Sequence, residues 1–261
     1  MRSHRLGTRR VLAMSAVAAT AAAGLASGAG AGGAAAAPAA RAASNQLTIL
    51  AAASLTKVFP EISRSPRYTF GGSGMLETEI QQGQQADVFA AASPKQPAQL
   101  FSSGLAEKPV EFATNTLVMI VPKDNPAHIK SVSDITKKGV KIVVCNSTVP
   151  CGDYAATAFT NLGITAAATK NIVSQETDVT QVVAQIASGQ GDVGFVYITD
   201  AKAAGSKVKV VGLPGKAKPG TQDFITVVKA SKNQAAAKAF VKLVLSKKGQ
   251  ARLKAAGFGK P

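Results

Sequence analysis

The chain has 261 residues, a formal charge of +16, ten phenylalanines, three tyrosines and no tryptophan. Five of the 30 Lys and Arg residues precede residue 45 and no acidic residue does, which leaves 25 basic and 14 acidic residues for the rest. Because the lysines are scattered and few aromatic residues accompany them, the sequence argues against a nucleic-acid partner. The excess charge favours solubility and a mild attraction for small anions.

Residues 1–44 are typical of an export signal followed by a tether. Four arginines lie in residues 1–10, and an uncharged run rich in Ala comes next. The pair Arg9-Arg10 also fits a twin-arginine signal, so two export routes stay open. An uncleaved membrane anchor is the alternative, which the weakly apolar Ala and Gly composition disfavours. No cysteine lies near this run, so we expect an exported protein at the periplasmic or extracellular face without a lipid anchor.

Strands alternate with helices along the rest of the chain. Apolar runs predict the strands, and apolar residues at helical spacing, mostly closed by glycine, predict the helices. In chain order, the elements are a strand at 47–54, a helix at 55–64, a strand at 67–74, a helix at 75–83, a strand at 86–93, a helix at 94–104, strands at 116–124 and 141–146, helices at 151–163 and 177–190, strands at 192–201, 207–214 and 224–231, and a terminal helix at 235–257.

This alternation predicts α/β architecture with mainly parallel sheets. The strands are too many for one small sheet, which favours two lobes. In such sheets ligands collect at the carboxyl ends of strands, where helices begin.

Cys145 and Cys151 are the two cysteines of the chain. An exported chain meets an oxidising compartment, and an even count at short spacing predicts a disulfide between them. A metal site would need more ligands, and His128 is the one histidine beyond the export segment, so we predict no metal site.

The stretch TFGGSGMLETEI, Thr69–Ile80, places glycines and Ser73 before a predicted helix. A phosphate-binding loop ends in Gly-Lys-Ser/Thr, but Met75 occupies that part of the motif here, so this loop is excluded. A nucleophile elbow, G-x-S-x-G, is excluded as well, because Met75 replaces its last glycine. A serine hydrolase built on Ser73 or Ser54 would lack a base, because His128 lies in a loop-like segment, so we do not expect an enzyme. Ser73 is either a helix cap or, with the free N–H groups of that helix, part of an anion site.

The second interpretation gains support because similar helix entrances recur. Ser54 in AAASL, Cys151 in PCGDYA and Val179 in SQETDV each stand where a helix begins. Four such entrances can surround one oxyanion with neutral donors and helix dipoles.

The motifs AAASL, FGGSG, QADVFAAAS, VPCGDYA and GFVYITDA, in this order, resemble the periplasmic molybdate-binding proteins of ABC uptake transporters. The resemblance runs from about Leu47 to Phe258. It implies the two-lobed periplasmic-binding-protein fold of type II, with two crossover strands and the ligand cleft between the lobes. The boundaries that we predict are 1–44 for the export signal and tether, 45–114 plus 223–261 for lobe I, and 115–222 for lobe II.

When residues are matched motif by motif to the family, the resemblance implies an oxyanion site of five residues. Ser54 and Ser73 would each donate through the hydroxyl and the backbone N–H, and Tyr197 through its phenol. Cys151, where the family commonly has alanine, and Val179 would donate backbone N–H groups. The glycines of FGGSG depart from a turn that is usually richer in serine.

The resemblance further implies a monomeric receptor for molybdate or tungstate that has no cofactor and delivers its ligand to an ABC permease. A site made only of donors suits these dianions, whereas phosphate keeps a proton near neutral pH and requires an acceptor. Asp153 and Asp178 lie close to the site in sequence and keep a phosphate receptor open as an alternative, together with a sulfate receptor and an exported serine hydrolase.

Overall fold

A computed structural model describes residues 46–217 and 219–261 of the chain. The predicted export signal and tether at 1–44 lie outside the described residues. Among the described residues, none of the helices combines the length and the apolar character needed to cross a membrane.

The described residues form ten strands in two five-stranded sheets. The strands are β1 (Thr48–Ala52), β2 (Arg67–Gly71), β3 (Val88–Ala91), β4 (Val110–Asn115), β5 (Leu117–Pro122), β6 (Ile142–Cys145), β7 (Ile172–Glu176), β8 (Val193–Tyr197), β9 (Val208–Val211) and β10 (Thr221–Val227). The strand orders are β2-β1-β3-β10-β4 and β7-β6-β8-β5-β9, and both sheets belong to one compact unit.

Helices cover these sheets and connect their strands. They are α1 (Val58–Ile62), α2 (Ser73–Gln81), α3 (Lys95–Ser102), α4 (Pro150–Leu162), α5 (Thr165–Asn171), α6 (Val179–Ala187), α7 (Ile198–Ala204), α8 (Gln234–Leu245) and α9 (Lys247–Ala256). A single 3-10 turn, Ala53–Leu55, follows β1. We call the first sheet with its helices lobe I and the second sheet with its helices lobe II.

The predicted α/β class is confirmed, but the sheets are mixed where mainly parallel sheets were expected. In lobe I, β1 pairs in parallel with β2 and β3, whereas β10 runs antiparallel to β3 and β4. In lobe II, β6 pairs in parallel with β7 and β8, whereas β5 runs antiparallel to β8 and β9. β5 and β10 are the first strands after the chain crosses over from the other sheet. Each runs antiparallel to the strands beside it in the sheet that it joins.

The chain passes between the sheets twice, through Thr116 between β4 and β5 and again between β9 and β10. These two passages match the two crossovers that the resemblance implies. The residue boundaries 45–114, 115–222 and 223–261 remain a prediction.

The sequence misses four elements, β4, α5, β7 and α7, and it merges two helices into one. The terminal helix predicted at 235–257 is broken at Ser246. The Ser246 side chain accepts a hydrogen bond from Gly249 N at 3.2 Å and donates one to Leu243 O at 2.7 Å. Ser246 therefore caps a separate helix, α9.

Candidate functional site

A small cavity of about 20 Å³ lies between the two lobes, where strands end and helices begin. Lobe I contributes the residues after β1 and β2, and lobe II contributes the starts of α4 and α6 and the end of β8. Its lining consists of Ala52, Ala53, Ser54, Gly71, Gly72, Ser73, Ala92, Val149, Pro150, Cys151, Asp178, Val179 and Tyr197. All five residues that the sequence proposes for the ligand, Ser54, Ser73, Cys151, Val179 and Tyr197, are thus brought to one place.

Two hydroxyl groups at this cavity are buried without a hydrogen-bond partner among the described residues. They are Ser54 Oγ and Tyr197 Oη. A buried polar group without a partner costs about 1–3 kcal/mol, so such groups mark sites that a ligand or water completes. Both hydroxyls therefore indicate a missing hydrogen-bond acceptor in the cavity.

The Ser73 hydroxyl has a partner, but it is still able to donate. Ser73 Oγ accepts a hydrogen bond from Ala92 N at 3.2 Å. A hydroxyl that accepts one hydrogen bond keeps its own proton for another. Ser73 is also the first residue of α2, whose preceding residue, Gly72, gives no side-chain cap. Its backbone N–H therefore belongs to the first-turn donors that the helix itself does not use.

Helix α6 begins with a cap that leaves one donor unused. The Asp178 carboxylate accepts hydrogen bonds from Thr180 N at 2.7 Å and from Gln181 N at 3.2 Å. The N–H of Val179, the first residue of the helix, is not bonded to this cap. Because Asp178 Oδ2 also accepts from the Gln181 side chain at 3.3 Å, the carboxylate is already engaged by its own helix.

Helix α4 begins beside the cavity at a loop that a disulfide closes. Cys145 and Cys151 form this bond, with their Cα atoms 5.7 Å apart. Cys151 is the second residue of α4, after Pro150, and Val149 offers no side-chain cap. The N–H of Cys151 is therefore a first-turn donor, and its sulfur is occupied in the disulfide.

The two lobes approach each other through glycines of the FGGSG turn. A Cβ at Gly72 would lie 2.5 Å from Val149 Cγ1 and would also overlap Thr177 O. A Cβ at Gly74 would overlap Thr148 O. Real Cβ atoms do not come this close to other atoms, so the lobes reach their present distance because residues 72 and 74 lack side chains.

Burial controls the ionisation of the residues around the cavity. It raises the pKa of Tyr197 well above its ordinary value, so this hydroxyl stays protonated and able to donate. Burial also raises the pKa of Asp200 to about 7, although a hydrogen bond from Tyr197 N at 3.0 Å counteracts the rise. The described lining includes no lysine or arginine. The cavity thus presents neutral donors and helix N-termini, which suit a ligand that only accepts hydrogen bonds.

The arrangement does not provide the parts of a serine hydrolase. His128 is exposed and is not part of the cavity lining. The two serine hydroxyls have no histidine partner among the described residues, and Ser73 Oγ is bonded to a backbone amide. A nucleophilic serine requires an adjacent base.

A larger groove of about 850 Å³ opens at the amino ends of β1 and β2, away from this cavity. Its most buried polar residue, Asp87, accepts hydrogen bonds from Thr48 N at 2.7 Å and from Asn233 Nδ2 at 3.3 Å. Because the carboxylate already has these partners, the groove gives less reason to expect a ligand than the smaller cavity does.

Sequence reasoning missed several residues near the cavity. In the sequence, Gly72 and Gly74 stand out only as departures from a serine-rich turn, whereas the structure shows them at the contact between the lobes. It also missed Asp223, which is 1% exposed and has no partner for either carboxyl oxygen among the described residues. The available signal was an acid inside the apolar strand TQDFITV.

Two α/β lobes that enclose a donor-lined cavity are the architecture of a solute-binding protein of the two-lobed type. The profile of the family described as "Bacterial extracellular solute-binding protein" matches residues 47–259, and the chain belongs to this family.

The relatives agree with the resemblance seen in the motifs. The chain is 36% identical over 228 residues to the "Molybdate-binding protein ModA" of Mycobacterium tuberculosis, covering 84% of this chain and 86% of that protein. It is 33% identical to the "substrate binding domain of putative molybdenum ABC transporter from Clostridium difficile", with a TM-score of 0.61 over 83% of this chain and 99% of that one. The Azotobacter vinelandii periplasmic molybdate-binding protein, at 23% identity, shares the fold with a TM-score of 0.72 over 83% of this chain and 100% of that one.

Proposed function

We propose that this protein is an exported receptor for molybdate and tungstate that passes the anion to an ABC permease and catalyses no reaction. The donors would be the hydroxyls of Ser54, Ser73 and Tyr197 and the backbone N–H groups of Cys151 and Val179. We propose further that it acts as a monomer without a cofactor and that its lobes close around the anion.

The observation that carries this proposal is the pair of buried hydroxyls, Ser54 Oγ and Tyr197 Oη, that have no partner at the small cavity. A tetrahedral oxyanion supplies several acceptor oxygens at one point, which matches donors that converge from both lobes. Helix N-termini add a favourable electrostatic contribution for an anion. The named relatives support molybdate as the anion.

The state of Asp178 favours a fully deprotonated anion over phosphate. Near neutral pH phosphate keeps a proton, which needs an acceptor in the site. Asp178 is the one acid among the described lining residues, and its carboxylate already accepts from Thr180 and Gln181. Asp153 is exposed and is not part of the lining. Bound phosphate would therefore share Asp178 Oδ2 with the Gln181 side chain for its proton, so it would be accommodated less well than a fully deprotonated dianion.

Sulfate is the second candidate, because it is also a fully deprotonated tetrahedral dianion and the same donors would accept it. A structural neighbour, the sulfate-binding protein SubI of Mycobacterium tuberculosis, shares the fold at 18% identity and a TM-score of 0.70. This likeness concerns the fold alone. A direct comparison of sulfate and molybdate binding decides between the two anions.

A thermal-shift panel with molybdate, tungstate, sulfate, phosphate and nitrate tests the proposal on the purified exported part of the chain. A ligand at 100 times its dissociation constant adds about 2.7 kcal/mol to the free energy of unfolding. We expect clear increases in melting temperature with molybdate and tungstate and little change with the other three. A sulfate or phosphate shift as large as the molybdate shift would contradict the proposed specificity.

Replacing both cysteines, Cys145→Ala with Cys151→Ala, is expected to lower stability and to spare anion binding. A disulfide across such a short loop stabilises a fold by about 2 kcal/mol, and the proposed donor at residue 151 is the backbone N–H. Urea unfolding and calorimetric titration with molybdate measure the two effects. As the control, a reductant should destabilise the wild-type protein and leave the double variant unchanged. If the double variant failed to bind molybdate, the assignment of the backbone donor would be wrong.

A further inference from the structure

Asp223 is a buried carboxyl group for which the proposed anion site gives no explanation. It lies on β10, two residues after the chain re-enters lobe I. It is 1% exposed, and neither carboxyl oxygen has a hydrogen-bond partner among the described residues. The adjacent buried Thr221 hydroxyl also lacks a partner. An ionised carboxylate without a partner is costly to bury, so such groups take up a proton instead.

The surroundings of Asp223 come from both lobes and contain acids and phenols. The titratable groups within electrostatic reach of Asp223 are Asp200 on α7, Tyr197 on β8 and Tyr154 on α4 from lobe II, and Glu111 on β4 from lobe I. None of these groups is a cation, and the ion pairs of the described residues do not include Asp223. Burial and then the charges of Asp200 and Glu111 raise its pKa well above the usual range.

The position of Asp223 connects its ionisation to the cavity. Its charge raises the pKa of Tyr197, whose hydroxyl lines the cavity, so the two groups lie within electrostatic reach. A dianion bound beside Tyr197 would add further negative charge near this carboxyl, and like charges disfavour ionisation. Three of the four titratable groups within electrostatic reach of Asp223 belong to lobe II, so the environment of this carboxyl depends on where that lobe lies.

We propose that Asp223 is a proton-binding site between the lobes, so that the protein takes up one proton when it closes around its anion. This inference rests on the proposed function. Because linkage is reciprocal, a proton on Asp223 must strengthen anion binding by the same factor by which the anion strengthens proton binding. A carboxyl whose pKa is raised in the closed form favours that form at low pH. Anion affinity should therefore fall as pH rises through the raised pKa, by up to about tenfold per pH unit.

Calorimetric titration of the wild-type protein with molybdate tests the inference at a series of pH values, in buffers with different heats of ionisation. We expect the uptake of close to one proton per bound anion, lost in Asp223→Asn. Asp153→Asn is the matched control, since it removes an exposed acid of the same charge, and it should keep the uptake. Asp223→Ala, which removes the carboxyl group without adding volume to the buried site, serves if the Asn variant does not fold.

Binding without proton uptake would overturn the inference and leave the proposed function intact. Uptake that persists in Asp223→Asn would also overturn it and would point to Asp200. If molybdate does not bind at any pH, the proposed function fails, and the inference, which rests on it, fails with it.

Discussion

Gly74→Ala is expected to weaken molybdate binding by about 5- to 150-fold without destabilising the unliganded protein. The added Cβ would overlap Thr148 O on the other lobe, so the lobes could not reach the distance seen here. Overpacking of this kind costs about 1–3 kcal/mol, which corresponds to that range of affinity. With the lobes apart the same change is harmless, because Gly74 lies in the first turn of α2 and alanine has the higher helix propensity.

The appropriate control is Gly212→Ala, because a Cβ at Gly212 would meet no atom within 4 Å. Calorimetric affinity and the melting temperature without ligand should both stay unchanged in this variant. If Gly74→Ala instead bound molybdate as tightly as the wild type, closure to the present lobe distance would not be needed for binding. A fall in the unliganded melting temperature of Gly74→Ala would indicate damage within lobe I, because contact with lobe II would not explain it.

The contact between Gly74 and Thr148 also gives the disulfide loop a second role. Thr148 and Val149 lie between Cys145 and Cys151, and they form the lobe II side of the contact with Gly72 and Gly74. The disulfide thus holds the loop that meets lobe I, as well as the start of α4.

The buried strands were predictable from the sequence because each is an apolar run. Residues 117–122 and 193–197, for example, are buried along their whole length. The missed strands β4 and β7 are edge strands of their sheets. β4 has two buried residues and four that are partly or fully exposed, β7 has no fully buried residue, and both include polar residues such as Glu111 and Glu176. A strand that is paired on one side needs no continuous apolar run, so its sequence carries a weaker signal.

The candidate site was predictable to the extent that it depends on local structure. Ser54 and Ser73 follow strands directly, so the order of elements is sufficient to place them at one edge of a sheet. The lobe contact at Gly74 and the burial of Asp223 depend on groups brought from distant parts of the chain, and no local pattern encodes them. For Asp223 the sequence shows an acid in an apolar strand, whereas its lack of a partner follows from the packing of both lobes.

Tyr197→Phe is expected to lower molybdate affinity by about 10- to 150-fold. The change removes one hydroxyl and almost no volume, and a hydrogen bond to a charged group contributes about 1.5–3 kcal/mol. The Tyr197 hydroxyl has no other partner among the described residues, so the anion is its one proposed acceptor. Removal of a buried hydroxyl without a partner also removes its desolvation cost, so the unliganded protein should be at least as stable as the wild type.

The matched control is Tyr154→Phe, the same chemical change on a ring whose centroid lies 6.3 Å from that of Tyr197. Tyr154 does not line the cavity, so its variant should keep the wild-type affinity. Opposite changes in affinity and stability for Tyr197→Phe, with unchanged affinity for Tyr154→Phe, would identify the Tyr197 hydroxyl as a donor to the anion. Unchanged calorimetric affinity of Tyr197→Phe would remove this residue from the site, and the anion would then depend on Ser54, Ser73 and the helix N-termini alone.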